Sequence, residues 1–156
     1  MIKELFNLKG KTALVTGGSQ GIGRAISLAL AEHGANLVIN YRSGKTLAEQ
    51  TKADVEALGV GCHLIQCDLV NPDSAKMIAA FLRQNNLEAD VLVLNASVQF
   101  RKNWDQVTLD EYEAQMSVNF RSSLLLIQEL YPVMQQKKWG RILTIGSVQQ
   151  VRPDEL

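Results

Sequence analysis

No apolar run in this 156-residue chain is long enough to span a bilayer, and the first ten residues mix charge with apolar side chains without the pattern of a cleaved leader. A soluble, cytoplasmic protein is the expectation. Charge of one sign is also missing, because sixteen basic residues face sixteen acidic ones. A neutral chain offers no electrostatic reason to expect nucleic acid or an anionic membrane as partner. Cysteine is scarce. Cys62 and Cys67 form no CxxC, and their odd spacing would place them on opposite faces of one strand. Buried free thiols are expected, not a disulfide or metal ligands. His33 and His63 have no acidic or histidine cluster at ligand spacing, so no metal centre is expected.

What is present is a regular alternation of two patterns. Thr12–Thr16, Asn36–Tyr41, Cys62–Cys67, Val91–Leu94 and Arg141–Ile145 read as short apolar strands. Between the first two, residues 22–33 have helical spacing, with Ile22, Ala25, Ile26, Ala29 and Leu30 on one face and Gly34 as the C-terminal stop. Ser43–Leu58 reads as a second helix. Asn71-Pro72 reads as the cap and first residue of a third, which runs to about Gln84. Thr108-Leu-Asp-Glu111 is a capping box that opens a long helix to about Lys137, with an irregularity expected at Pro132 and a stop at Gly140. Strict alternation with short connections predicts one α/β domain over residues 1–156. Its expected architecture is a doubly wound (Rossmann-type) parallel sheet in the order 3-2-1-4-5 with helices on both faces.

The chemistry-bearing residues fall at strand ends. Thr16-Gly17-Gly18-Ser19-Gln20-Gly21-Ile22-Gly23 joins the first strand to the first helix. Glycines there let the backbone approach a pyrophosphate, and the helix start offers free amides and a positive dipole end. A glycine-rich turn alone is a weak signal. Its place between strand and helix of an alternating chain is the context that gives it meaning. Its spacing, Gly-x-x-x-Gly-x-Gly, differs from the commoner Gly-x-Gly-x-x-Gly. In dinucleotide folds an acidic residue about twenty positions further on holds the ribose hydroxyls of NAD. Here Asn40, Tyr41 and Arg42 occupy that place. No carboxylate repels a 2′-phosphate and Arg42 can pair with one, so NADP is expected ahead of NAD. Asn119 is a poor helix former placed between apolar Val118 and Phe120.

The glycine loop, the Lys9–Val15 lead-in, Asp68, Asn95-Ala96, Asn119 and Ser147 together resemble the classical short-chain dehydrogenases/reductases, in order and approximate spacing along the whole chain. The likeness is strongest to 3-oxoacyl-carrier-protein reductases and sugar or polyol dehydrogenases. It implies hydride transfer between a nicotinamide cofactor and a small carbonyl or secondary-alcohol substrate. It implies that Asp68 meets the adenine amino group and Leu69 flanks the ring. Asn95 would stabilise the central sheet, and Ala96 with Ser97 would pass the nicotinamide side. Ser97 stands where the family usually has glycine. Asn119 would sit near a helix irregularity and serve a proton relay, and Ser147 would bind the substrate oxygen. Val98, Gln99, Gln149 and Gln150 are candidates to line the substrate pocket.

The family's reaction also needs a Tyr and a Lys four residues later, implied by the resemblance roughly a dozen residues beyond Ser147. The chain ends at Leu156. Tyr41 and Lys45 match that spacing but lie on the adenosine side, with Gly44 between them, and are rejected as the pair. The fifth strand is expected to be an exposed edge. A C-terminally incomplete oxidoreductase is the preferred reading, with a non-catalytic nucleotide-binding module as the alternative. The resemblance also implies a homodimer or homotetramer through the long helix.

Overall fold

A computed structural model describes residues 6–148. Gln149 and Gln150 therefore lie outside the described residues. Five strands form one parallel sheet: β1 Thr12–Thr16, β2 Asn36–Tyr41, β3 Cys62–Gln66, β4 Val91–Leu94 and β5 Arg141–Thr144, in the order β3-β2-β1-β4-β5. The expected order is the one observed. The helices are α1 Gly21–Glu32, α2 Lys45–Glu56, α3 Ser74–Gln84, α4 Leu109–Met116 and α5 Ser122–Gln136, with a π-helical turn at Ser117–Arg121 joining the last two.

The sheet is covered on both faces except at edge strand β5, whose four residues are all exposed. Ala13, Val15, Leu37, Ile39, Cys62, Val91 and Val93 pack with Ala31 of α1 and Val55 of α2. Leu14, Val38, Ile65, Cys67, Leu92 and Leu94 pack with Ile78 and Leu82 of α3 and Leu126, Leu130 and Met134 of α5. Burial on both faces explains why β1 and β4 read as unbroken apolar runs and not as alternating ones. Cys62 and Cys67 fall into opposite layers, as their spacing requires, and both are buried free thiols. Burial pushes the Cys62 thiol up to about 12, with Glu56 adding to the effect.

Four local expectations are corrected. The buried stripe of α1 is Gly23, Ser27 and Ala31, while Ile22 is 66% exposed and Ala25 and Ala29 face outward. Small residues four apart let the helix sit close to the sheet, and Ser27 Oγ uses that closeness to donate to the carbonyls of Gly18 and Gly23. The third helix begins at Ser74, not at Pro72. Asn71 instead closes a turn, its Oδ1 accepting from Asp73 N–H and its carbonyl from Ser74 N–H. The long helix opens on its capping box as expected, but the irregularity lies at Ser117–Arg121. There the Ser122 N–H reaches back five residues to the Ser117 carbonyl. Pro132 sits inside regular α5. It and Gln128, whose carbonyl loses a helical partner to it, lie on the exposed side of the helix. The helix is closed by Lys138 at φ 52°, not by Gly140, with Trp139 N–H on the Met134 carbonyl.

Candidate active site

The carboxyl ends of the strands surround a cleft of about 380 Å³. Gly17, Ser19, Gln20, Gly21, Ile22 and Gly23 form one wall, and Asn40, Tyr41 and Arg42 a second. Asp68 and Leu69 add the far end, and Asn95, Ala96 and Ser97 the floor toward β4. Every residue expected at the cofactor lines this cleft except Thr16.

Thr16 lies beneath the cleft, 1% exposed, and works through its neighbours. Its Oγ1 donates to the Val93 carbonyl and accepts from the Asn95 and Ala96 N–H groups at 2.9 and 3.0 Å. Asn95 returns the contact, its amide donating to the Thr16 and Gly17 carbonyls. The end of β1 and the end of β4 are thereby locked together at the glycine loop. Thr16→Val keeps the shape and strands two amides, so a loss of about 2–3 kcal/mol is expected in urea denaturation; a loss below 0.5 would mean the hydroxyl is dispensable.

The glycine loop fits an anionic phosphate group for reasons visible atom by atom. A Cβ on Gly23 would stand 2.2 Å from the Gly17 carbonyl oxygen, so the helix sits directly on the loop. A Cβ on Gly21 would meet nothing within 4 Å, and Gly21 has φ +52°. That open space is where a ligand backbone can enter. The first turn of α1 carries no acidic residue and no side-chain cap, which leaves its amides and dipole end uncompensated.

At the end of β2 the structure sharpens what Asn40 does. It is 2% exposed, and its amide donates to the Cys67 carbonyl at 3.0 Å and, more weakly, to that of Ile65 at 3.5 Å. The side chain ties β2 to β3. A carboxylate here would face two carbonyls with no proton to offer. Arg42 is exposed at the cleft mouth, its backbone carbonyl held by Gln66 Nε2. Its guanidinium has no partner among the described residues. Asp68 Oδ1 accepts from the Val70 N–H, which shapes the turn after β3. Leu69 is buried and belongs to both the core and the cleft.

Asn119 lies in the π turn and clamps the segment after β4. Its Oδ1 accepts from Val98 N–H at 2.8 Å and its Nδ2 donates to the Val98 carbonyl at 2.9 Å. The helix irregularity therefore coincides with a strand-like pair of bonds to the cleft floor. Ser147 is exposed and follows β5 by three residues, as Ser97 follows β4, with Leu94 and Thr144 in register. Tyr41 closes β2 and Lys45 opens α2, separated by left-handed Gly44, so the two share no helical turn. Ser43, Cys67 and Val118 also line the cleft and were missed in the sequence. Adjacency to Arg42, Asp68 and Asn119 was the only signal available for them.

A family model described as short chain dehydrogenase matches residues 11–155. The chain belongs to the short-chain dehydrogenase family. Among short-chain dehydrogenases, an L-rhamnose 1-dehydrogenase (NADP(+)) of Thermoplasma acidophilum is 33% identical over 145 residues, covering 92% of this chain and 57% of that protein. A 3-oxoacyl-[acyl-carrier-protein] reductase of Staphylococcus aureus is 33% identical over 138 residues, covering 88% of this chain and 56% of that protein. The crystal structure of a 3-oxoacyl (acyl-carrier-protein) reductase from Agrobacterium tumefaciens with NADP bound superposes with a TM-score of 0.91 at 31% identity, covering 99% of this chain and 59% of that one. This short-chain dehydrogenase chain thus spans a little over half the length of the relatives it matches.

Proposed function

We propose that this chain forms the cofactor-binding part of an NADP-dependent oxidoreductase that interconverts a carbonyl and a secondary alcohol. The observation that carries the reading is the uncompensated start of α1 over an open cradle at Gly21, with Arg42 unpaired among the described residues at the same cleft and no carboxylate at position 40. The relatives named with NADP support it. When bound, the nicotinamide supplies or accepts hydride.

The residues divide the remaining work. The first-turn amides at Gly21, Ile22 and Gly23 hold the pyrophosphate, with Ser19 and Gln20 at the loop. Arg42 pairs with the 2′-phosphate beside Tyr41. Asp68 accepts from the adenine amino group. Ala96, Ser97 and Val98 line the nicotinamide end, and Asn119 fixes that segment by clamping Val98. Ser147 orients the substrate oxygen. The substrate class is a 3-oxoacyl thioester or a sugar or polyol, a reading supported by the relatives named as a 3-oxoacyl-[acyl-carrier-protein] reductase and an L-rhamnose dehydrogenase. Self-association is proposed through the exposed face of α4 and α5, where Tyr112, Met116, Phe120, Leu124 and Tyr131 are all between 42 and 64% exposed. Two buried free thiols accord with an intracellular, reducing location.

Fluorescence titration with NADPH and NADH tests the reading. NADPH is expected to bind the more tightly, and Arg42→Ala to remove roughly tenfold to a hundredfold of that preference, the worth of a charged phosphate contact. Tighter NADH binding by the unmodified chain overturns the NADP reading.

A further inference from the structure

We infer that Arg121 is a positioning residue for the adenosine end of the cleft, acting through the turn that carries Asp68. The inference rests on the proposed binding of NADP in this cleft.

Arg121 closes the π turn, and its guanidinium donates to the Val70 carbonyl at 2.6 Å, joining residues 51 apart in sequence. Val70 is already held at its N–H by Asp68 Oδ1 at 3.0 Å. The turn is therefore gripped at both backbone groups of one residue, by Asp68 from within and by Arg121 from the π turn. Between them Leu69 is buried, 5% exposed, in the same apolar cluster as Val118, the second residue of the π turn. Asp68 lines the cleft, and its carboxylate is tied through Oδ1 to Val70. The direction of that carboxylate follows the position of Val70, and the position of Val70 follows Arg121.

The same π turn holds Asn119, which fixes Val98 at the opposite end of the cleft. One extra residue in the helix thus supplies two anchors. Asn119 reaches the segment after β4, and Arg121 reaches the turn after β3. The spacing between the two ends of an extended dinucleotide is set from a single rigid element. In the sequence Arg121 looks like a solvated helix arginine, and nothing near it marks it out.

The test separates the two ends of the ligand. NADPH, 2′,5′-ADP and reduced nicotinamide mononucleotide are titrated against the full chain and against Arg121→Met, which keeps the aliphatic stem and helix preference. Loss of one charge-assisted bond to the turn is expected to weaken NADPH and 2′,5′-ADP by the same factor, roughly three- to tenfold, while the mononucleotide changes by less than about twofold. In an Asp68→Ala background the Arg121→Met effect on 2′,5′-ADP is expected to disappear, because the group being positioned is gone. Arg121→Gln, too short to reach Val70, gives the same split should the Met variant not fold. Equal weakening of 2′,5′-ADP and the mononucleotide, unchanged 2′,5′-ADP binding, or independent losses in the Asp68 cycle each overturn the inference. Failure of the unmodified chain to bind NADPH at all instead overturns the proposed function.

Discussion

Gly23→Ala is expected to cost about 3 kcal/mol of stability and to abolish NADPH binding, read by urea denaturation and fluorescence titration on the same preparation. The added methyl would lie 2.2 Å from the Gly17 carbonyl oxygen and 2.5 Å from Asn95 Nδ2. The first of these atoms is backbone and cannot swing aside. Relief requires α1 to lift from β1, and the helix has no slack on that side. Gly23 and Ser27 lie against the loop, and Ser27 holds the carbonyls of Gly18 and Gly23. Lifting the helix also moves the first-turn amides away from the phosphate.

Gly21→Ala is the internal control for this argument. Its methyl would enter space with nothing within 4 Å, so the folded chain bears only the cost of φ +52°, about 1–2 kcal/mol. The same methyl would occupy the cradle, and affinity for NADPH is expected to fall more than about tenfold. The two variants therefore separate packing from binding. Gly21→Ala with undiminished affinity would show that the pyrophosphate lies elsewhere.

Asp90→Ala is expected to lower stability by about 3 kcal/mol with little change in cofactor affinity. Asp90 sits at the opposite end of the sheet from the cleft, its side chain 5% exposed. Its carboxylate accepts from the Thr12 N–H at 3.0 Å and from Lys137 Nζ at 2.5 Å, with Lys11 Nζ 3.9 Å away. Its backbone bonds to Thr12 and to Arg141. One residue thus joins the starts of β1, β4 and β5 to the end of α5. Truncation leaves the buried Thr12 amide without its acceptor and the Lys137 ammonium with Glu88 alone. The Asp90 hydrogen bond, aided by Glu88, holds the Lys137 ammonium above the ordinary lysine range. A cation whose folded value is raised contributes fully at neutral pH, and the contribution fades as pH rises through that value. The difference between the unmodified chain and Asp90→Ala should stay level from about pH 6 to 9 and shrink as pH rises through the raised lysine value. A difference that instead grows with alkaline pH would assign the stabilisation to another group.

Recurrence along the chain made the fold legible. The five strands and the main helices between them were marked by apolar runs or turn signals, alternation implied a parallel sheet, and the order 3-2-1-4-5 is the one expected of a doubly wound fold. The errors share a cause. Periodicity selects large apolar residues, so Ile22, Ala25 and Ala29 were expected to face the sheet, whereas close approach selected Gly23, Ser27 and Ala31. Local capping rules favoured Asn71-Pro72 and Gly140, but bonds formed within the surrounding turns displaced both boundaries. Pro132 is the conspicuous helix breaker, yet it sits in regular helix, and the break falls at Ser117–Arg121, around the Asn119 that the family resemblance placed near an irregularity.

By itself the sequence determined that a glycine loop lies between a first strand and a first helix, that Asn and not a carboxylate follows the second strand, and that the strands are parallel. These depend on residue type and order along the chain. Only the tertiary structure decided which glycine touches backbone and which opens into the cleft, that the Asn40 amide serves Cys67, and that Thr16 works from below. It also decided that the π turn reaches Val98 through Asn119 and Val70 through Arg121. Each of these is a contact between segments distant in sequence, and no local pattern records a partner that arrives only when the sheet has closed.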